Sequence, residues 1–543
     1  MTDAPDTAGG AGLINRSWPF RGGTARDLGV DGAAVATPFA PAAPDEIVAR
    51  VDAVCICSSD VKLIRMGADH PLFAARDLAA DPLLLGHEMA LTVQEVGRDW
   101  QHRYRPGQRL GLQPAVTLDG KRTTIGIDRP GAFSHYMRLT PDLLSGDIPY
   151  VFDVPDSLGA AQIAMLEPYS CVAAAYRPNS RISLRPGGRL LVVCTAGSAA
   201  STLELEVGVA EAVLVGAPPA LADWARVHAA RSVVLAEGEA LPEGVFDDIV
   251  LCGSFDPAQI EAMLPRLADA GLLAIVSADA NGSPVAVDAA RIHYRQIAIV
   301  GAPGPRIDEA FSAERNRFAL RKDGVLLVLG AGGAMGRIHL HLALAMQDGP
   351  RTIIATSRKG ARLDALVRDF ADLASQRGKH LVVVSDNELA ERLATVAPEG
   401  CDDVAVVAPD AAAVERGAGF LRPDGLLVIF AGMPFNQPCR LPLGRVASHG
   451  ARFTGSTGSL VSDQLGILDD VLAGRLDLDG NLEAVAGFAH LPDALEAVSA
   501  GRVAGKVVIY PFVDDLPMTA VSRIVPPGER WTLAAEASLA GRS

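Results

Sequence analysis

Three short segments of this chain carry side chains that could do chemistry together. Cys55-Ile-Cys57-Ser-Ser-Asp60 is followed about 30 residues later by Gly86-His87-Glu88, and after a longer interval by Leu166-Glu167-Pro168. A thiolate, an imidazole and a carboxylate form the donor mix that holds a catalytic zinc ion while leaving one position open for water or substrate. Each piece alone has a bland explanation: a CxC on an apolar strand is often core packing, and a His beside a Glu is commonplace. Their joint order is what points to a metal site.

A second chemistry is written at Gly330-Ala-Gly-Gly-Ala-Met-Gly336, which follows the apolar strand Leu326–Leu329 and opens a helical stretch, Arg337–Met346. Glycines in that context let the backbone turn sharply and approach a pyrophosphate, whose charge then rests on the helix N-terminus. The spacing is GxxGxxG through Gly330, Gly333 and Gly336, with Ala334 and Met335 as further cofactor contacts. The next strand, Thr352–Thr356, runs into Ser357-Arg358-Lys359. An acidic residue there would bind a ribose 2′-hydroxyl, whereas a nearby Arg accommodates a 2′-phosphate. The absence of a carboxylate favours NADP(H) over NAD(H), with Ser357, Arg358 and Lys359 as the discriminating residues.

These groups need elements to position them. From about Glu46 to Asp153 the chain shows short β-like runs between turns: Ile47–Val54, Glu88–Val96, Arg109–Gln113 and Phe133–Leu139. That spacing predicts a barrel-like β domain. From Pro186 the pattern alternates strand and helix, with strands at Leu190–Cys194, Glu211–Val215, Asp248–Leu251 and Leu272–Val276. This is the pattern of βαβ units and a parallel sheet.

The alternating pattern occurs twice. Leu184–Val193 aligns with Leu320–Leu329, Phe246–Val250 with Cys401–Ala405, Gly271–Ile275 with Gly425–Ile429, and Val300–Gly304 with Thr454–Gly458. The offset grows from 136 to 154, which puts about 18 extra residues in the second copy near Lys359–Leu389. Matching order with a nearly constant late offset predicts a duplication. At the offset of 136, Gly330 becomes Cys194, Gly333 stays Gly197 and Gly336 becomes Ala200. The first copy therefore reads as degenerate and empty of dinucleotide. After the second copy, Lys506–Tyr510 is expected to rejoin the first β domain as a strand.

Composition narrows the function classes. At about 150 residues per domain, 543 residues predict three to four domains. With 49% hydrophobic and 21% charged residues, wholesale disorder is excluded. A net charge of −15 without a basic run argues against a nucleic-acid partner. The N-terminus has no cationic start and no apolar h-region, and the longest apolar runs, such as Gly324–Leu329, are far too short to span a membrane. Seven cysteines are an odd, sparse count that fits a reducing compartment, so a cytoplasmic protein is expected.

The residues above resemble the zinc-dependent medium-chain dehydrogenase/reductase family. The resemblance rests on Cys57-Ser-Ser-Asp60, Gly86-His87-Glu88, Pro106-Gly107-Gln108-Arg109, Gly131-Ala-Phe-Ser-His-Tyr136 and Leu166-Glu167-Pro168. Gln113-Pro-Ala115, His293-Tyr294 and Phe430-Ala-Gly432 look like the polyol and sugar-phosphate branch that includes L-sorbose-1-phosphate reductase. The resemblance implies an α/β fold with a GroES-like β-rich catalytic domain and two tandem Rossmann-like, doubly wound parallel-sheet domains. It implies one catalytic zinc, with Cys57 and His87 as ligands and Glu88 and Glu167 sharing the remaining protein position. One of the two carboxylates would bind the metal and the other would hold its water. Ser59 would relay the proton of the substrate hydroxyl. Three departures stand out. Ser58 replaces the glycine usual after the ligand cysteine, and Lys62 stands where many members have a relay histidine, in a place to anchor a phosphate or sugar oxygen. Thr117–Arg138 holds no Cys, so no structural zinc is expected.

The expected organisation is a flexible arm over 1–25, a catalytic domain over 26–185 completed by 485–543, a degenerate Rossmann-like domain over 186–320 and an NADP-binding Rossmann domain over 321–484. The second copy is expected to occupy the catalytic cleft and deliver hydride to a small polyol or keto-sugar, phosphorylated or not. Members of this family commonly dimerise through the edge of their Rossmann sheets. The two copies are expected either to mimic that pairing within one chain, joining near Val300–Gly304 and Thr454–Gly458, or to leave room for a homo-oligomer. Two other functions stay open: a nucleotide-binding pseudoenzyme or regulator, and an epimerase-like enzyme with retained nucleotide.

Overall fold

The computed structural model of the chain describes residues 12–67, 76–118, 120–195, 197–278, 283–526 and 529–539. The start of the expected arm, residues 1–11, lies outside them. The chain forms two compact units, one from Met1–Ser170 with Ser459–Ser543 and the other from Cys171–Gly458.

In the first unit the apolar run Ile47–Cys55 forms β1, with nearly every residue buried. It is followed by α1 (Ser58–Met66), β2 (Glu88–Val96), β3 (Arg109–Leu112), β4 (Tyr136–Leu139), β5 (Val151–Asp153) and α2 (Ala160–Ala174). Residues 13–25, expected as part of a flexible arm, are instead built into this unit. Leu13–Ser17 pairs antiparallel with Val35–Phe39, and the buried Trp18 donates its indole N–H to the Phe488 carbonyl at 3.0 Å. The rings of Trp18 and Phe20, both buried, supply apolar area that docks this segment.

The second unit contains two six-stranded parallel sheets. The first copy runs β6 (Arg189–Cys194), β7 (Val209–Val215), α3 (Pro219–His228), β8 (Ala229–Leu235), β9 (Phe246–Cys252), β10 (Leu267–Val276), β11 (Val285–Asp288), α4 (Ala289–Tyr294) and β12 (Ala298–Ala302). The second copy opens with β13 (Val325–Leu329), α5 (Ala334–Ala345), β14 (Thr352–Ser357), α6 (Ala361–Gln376), β15 (His380–Ser385) and α7 (Leu389–Val396). It closes with β16 (Cys401–Val406), β17 (Leu421–Ile429), β18 (Pro438–Leu441), α8 (Gly444–His449) and β19 (Arg452–Gly455). Strand orders are β8-β7-β6-β9-β10-β12 and β15-β14-β13-β16-β17-β19, the doubly wound dinucleotide-fold order in both sheets.

Side-chain networks repeat as faithfully as the strands. Arg181 pairs with buried Asp248, and Arg317 with buried Asp403. The backbone N–H groups of Arg185 and Arg321 donate to those same carboxylates at 2.7 Å in each copy. Asp247 accepts from the Arg189 N–H and Asp402 from the Val325 N–H, again both at 2.8 Å. Both copies thus tie the entry of their first strand to a bulge in the fourth, between Phe246 and Asp248 and between Cys401 and Asp403.

Two expectations about the copies need correction. The first copy has no helix among the described residues of 195–208, where a crossover helix was expected; the chain runs there as coil, with Thr202 bridged to Arg306. The surplus expected near Lys359–Leu389 is spread over three connections: 330–351, 358–379 and 386–400 are each longer than 195–208, 216–228 and 236–245.

The copies meet edge to edge. β11 pairs antiparallel with β18, placing Val285 opposite Leu441 and Val287 opposite Cys439. α8 packs on β12, and α4 packs on β19. A Cβ on Gly301 would lie 2.9 Å from Ala447 Cα, and one on Gly455 would lie 2.7 Å from His293 Cα. Every one of these contacts has its counterpart with the copies exchanged, which is a pseudo-two-fold. One continuous apolar core spans both sheets.

The chain re-enters the first unit at Ser459, ahead of residue 485. The buried face of α9 (Val461–Leu472) packs there, and Gln464 donates to the Leu112 carbonyl at 3.2 Å. β20 (Leu482–Gly487) and β21 (Lys506–Tyr510) complete an eight-stranded sheet in the order β5-β3-β2-β1-β21-β20, then Thr519–Ala520, with β4 paired to β1. The strand expected to rejoin the β domain does so, Val508 opposite Cys55 and Ile509 opposite Val54. Among the described residues, no helix is long and apolar enough to cross a membrane.

Candidate active site

β1 ends in the CxC, and the chain turns at once into α1. Cys57 keeps an extended backbone as the N-cap, and the Asp60 carboxylate accepts its N–H at 2.9 Å. That acceptor three residues into the helix satisfies an otherwise orphaned donor, and it fixes where the Cys57 side chain starts. Gly86 precedes β2 with φ +90, and a Cβ there would collide with the Phe133 ring at 2.6 Å. His87 and Glu88 are thereby delivered beside Cys57. Ligand atoms of Cys57, His87 and Glu88 all lie within 4.8 Å of one another, and the two β2-side residues are buried.

The buried carboxylate of Asp60, which the sequence reading leaves without a role, organises this cluster. Its Oδ1 lies 3.5 Å from His87 Nδ1 and accepts the Gly86 N–H at 3.3 Å. Burial opposes charging the His87 ring, but the charges of Asp60 and Cys57 outweigh it and hold its pKa well above that of an ordinary histidine. Ser59 Oγ stands 3.3 Å from His87 Nε2, in the first turn of α1. Lys62 is half-buried one turn further along the same helix.

Glu88 carries a partner that no local motif announces. Lys506, the first residue of β21, places Nζ 2.6 Å from both Glu88 carboxylate oxygens, with the two side chains 2% and 0% exposed. Burial would lower the lysine pKa, yet the Glu88 charge holds it up. Both Glu88 oxygens are thus engaged by a cation, while a Glu88 oxygen still lies within the 4.8 Å cluster with Cys57 and His87. Glu167, on α2, lies outside the 4.8 Å cluster. Its helix is anchored by a buried polar chain: Ser170 Oγ donates to the Glu167 carbonyl at 2.6 Å and meets Ser459 Oγ at 2.8 Å, and Ser459 O accepts from Gln113 Nε2 at 2.9 Å.

A soft thiolate beside a nitrogen donor and a buried carboxylate fits a zinc ion by its donor chemistry. Cys57 and His87 would hold it.

The glycine loop has the geometry of a pyrophosphate cradle. Gly330 turns with φ +88 after β13, and Gly333 begins α5 with no side-chain cap. A Cβ on Gly333 would meet nothing within 4 Å, so the helix amides face open space. A Cβ on Gly336 would lie 2.6 Å from Ala331 Cα, so only glycine lets α5 pack this closely on its strand. Ala334 and Met335 fill the first turn between them. Buried Ser357 ends β14; Arg358 is exposed beyond it, and exposed Lys359 is held by Glu388 at 2.7 Å. Half-buried Arg362, which the sequence reading passes over, sits in the first turn of α6 with its Cβ 3.2 Å from the place of a Gly332 Cβ. In the first copy, Gly197 lies in coil, where no helix terminus follows.

The chain thus carries a parallel dinucleotide-type sheet with this loop in one unit and a Cys-His-Glu cluster in the other. Residues 43–147 match the alcohol dehydrogenase GroES-like domain. The chain is 28% identical over 160 residues to L-sorbose 1-phosphate reductase of Klebsiella pneumoniae, covering 27% of this chain and 38% of that protein. It is 26% identical over 259 residues to sorbitol dehydrogenase of Bacillus subtilis, covering 43% of this chain and 68% of that protein. The solved structure of 2R,3R-butanediol dehydrogenase from Bacillus subtilis has the same fold, with a TM-score of 0.52 at 13% identity, covering 92% of this chain and 99% of that one. Residues 43–147 thus share the GroES-like domain of alcohol dehydrogenases, and the chain is similar in sequence to polyol and sugar-phosphate oxidoreductases. Its match to the sorbose-phosphate reductase spans about two-fifths of that relative's length.

Proposed function

We propose that this protein is a zinc-dependent oxidoreductase that interconverts a polyol and the corresponding keto-sugar with NADP(H). The observation that carries the reading is the convergence of Cys57, His87 and Glu88 within 4.8 Å in the GroES-like unit. A bound Zn2+ would supply Lewis acidity at the substrate oxygen, and a bound dinucleotide would supply the hydride chemistry.

The chain's own residues do the rest. Cys57 and His87 would hold the metal, oriented by Asp60, while Lys506 keeps Glu88 in place. Ser59 Oγ takes the substrate hydroxyl proton, and Lys62, three residues on along the same helix face, anchors a sugar or phosphate oxygen at the outer end of that path. Glu167, on its anchored helix, would order a water or a substrate hydroxyl beside the metal-holding residues. The second copy carries the cofactor: Gly330, Gly333, Ala334, Met335 and Gly336 cradle the pyrophosphate. Ser357, Arg358 and Lys359 face the ribose phosphate, with Lys359 leaving Glu388 to do so. The first copy carries none and serves as the built-in partner of the second.

The test is metal analysis with NADPH and NADH titration, followed by a panel of polyols and ketose phosphates. One zinc per chain, tighter NADPH than NADH, and NADPH oxidation on a ketose are expected. Cys57→Ser should lose zinc and turnover together. Nucleotide binding without metal or turnover would overturn the reading in favour of a regulator.

A further inference from the structure

The degenerate loop of the first copy has not merely lost its glycines. Cys194 stands at the position of Gly330 and ends β6; Cys252 ends β9, the neighbouring parallel strand. The two are register partners, so their Cα atoms are separated by one inter-strand spacing, about 4.8 Å. That falls inside the range of roughly 4.4–6.8 Å spanned by disulfides. Register partners on parallel strands point to one face, and both side chains belong to the same apolar cluster. The two thiols are therefore adjacent at the C-terminal rim of the sheet, where a dinucleotide fold places its phosphate loop.

Their surroundings differ in a useful way. Cys194 is 3% exposed and lies at the rim, whereas Cys252 is 0% exposed. Ser198 and Ser201, both buried, come from the coil that replaces the crossover helix. Hydrogen bonds from Cys252 and then Ser198 pull the Cys194 thiol below its ordinary pKa, and the same Cys194 contact, with burial, pushes Cys252 well up. Both thiols are buried, in register at the ends of neighbouring strands and held at different acidities, so their placement favours a bond between them.

We propose that Cys194 and Cys252 form a reversible redox dithiol, a thiol-modification site built from the abandoned nucleotide loop of the first copy. The oxidant is a hydroperoxide. The Cys194 thiolate attacks the peroxide O–O bond; with one proton taken up, one oxygen leaves as water and the other stays as a sulfenic acid. The Cys252 thiol then attacks that sulfur, an S–S bond forms, and the sulfenic oxygen leaves as a second water. Two thiols and one hydrogen peroxide give one disulfide and two waters. The inference does not depend on zinc or on the alcohol chemistry.

The test uses the full chain. The protein is treated with hydrogen peroxide, the remaining thiols are capped with N-ethylmaleimide, and peptides are mapped by mass spectrometry. Expected is a peptide pair joined through Cys194 and Cys252, two hydrogens lighter than the reduced pair and released by dithiothreitol. In Cys252→Ser and Cys252→Ala, Cys194 should instead be captured by dimedone as the sulfenic acid. The proposal is overturned if peroxide leaves Cys194 as cappable as in untreated protein. It is equally overturned if Cys194 over-oxidises as fast in the wild type as in the Cys252 variants, or if it pairs with another cysteine. The wild-type cross-link decides the matter even if both variants fail to fold.

Discussion

At the scale of single residues, the buried Lys506–Glu88 pair makes the sharpest claim. Two charges this deeply buried hold each other at 2.6 Å, and removing one leaves the other desolvated without a partner. Lys506→Met should therefore cost about 3–5 kcal/mol in urea unfolding, and adding Glu88→Gln should recover much of it, because neither buried charge then remains. A single-variant loss below about 1 kcal/mol would mean that Glu88 is satisfied by something other than Lys506. Cys57, His87 and Glu88 were legible in the sequence because each lies in a short motif of distinctive types. Lys506 was not, since the two partners are far apart in the chain and only the sheet brings them together. The one available signal was a lysine opening a strand that is buried at every position. A second residue makes a pH claim. Burial pushes the Asp479 carboxyl up to about 7, with Gln162 donating to it and the Glu536 charge adding to the rise. In the unfolded chain an aspartate titrates near ~3.9, so between these values the folded state holds a proton that the unfolded state has released. The stability contribution is thus present at low pH and lost as pH rises through about 7. Urea midpoints at about pH 5 and about pH 8 should fall more for the wild type than for Asp479→Asn; equal falls would place the proton elsewhere.

At the scale of elements, the strand–loop–helix of β13 and α5 separates binding from folding. Gly333 has room for a side chain and Gly336 has none. Gly333→Ala should leave the melting temperature unchanged while weakening NADPH at least about tenfold, because the added methyl stands where the pyrophosphate approaches. Gly336→Ala should lower both, since its Cβ meets the backbone of Ala331 and forces α5 off the strand. Fluorescence titration and thermal melts on the two variants check this; a Gly333→Ala protein with unchanged affinity would remove the phosphate from that helix end. Strands were read well from sequence: Glu88–Val96 and Lys506–Tyr510 match to the residue. Apolar runs bounded by turn residues say where a buried strand begins and ends. The lack of a crossover helix among the described residues of 195–208 is not legible in the sequence. Thr195–Gly208 is no poorer in helix formers than many helices, and what prevents a helix is tertiary: Thr202 bridges to Arg306, and the Leu205 carbonyl accepts the Trp224 indole N–H at 2.9 Å. The arm was misread for a related reason. Glycine and alanine around residue 10 set a flexible tone, but two aromatic rings a few positions on decided the packing.

At the scale of the whole chain, duplication without equivalence is the organising fact. Both copies keep the strand order, the bulge and the Arg–Asp clamps, which are requirements of the sheet itself. Only one keeps the helix that a dinucleotide needs. The first copy is therefore retained for what its edge does: it supplies β11 to β18, α4 to β19 and the seat for α8 on β12. An uncovered sheet edge is a template for another chain, and here each copy covers the other's. Two consequences separate this arrangement from a pair of working domains. NADPH should titrate to one site per chain rather than two, read by calorimetry, because no helix among the described residues of 195–208 presents amides to a phosphate. The contact should also respond symmetrically to insult. Gly301→Leu and Gly455→Leu each drive a side chain into backbone of the opposite copy, at Ala447 and His293 respectively. Both should lower the unfolding temperature of the second unit to a similar degree, and only Gly455→Leu, on the nucleotide-bearing sheet, should also weaken NADPH. Two nucleotides per chain would show that the first copy still binds a dinucleotide, and a Gly301→Leu protein as stable as the wild type would show that it is not held in place as a partner for the second.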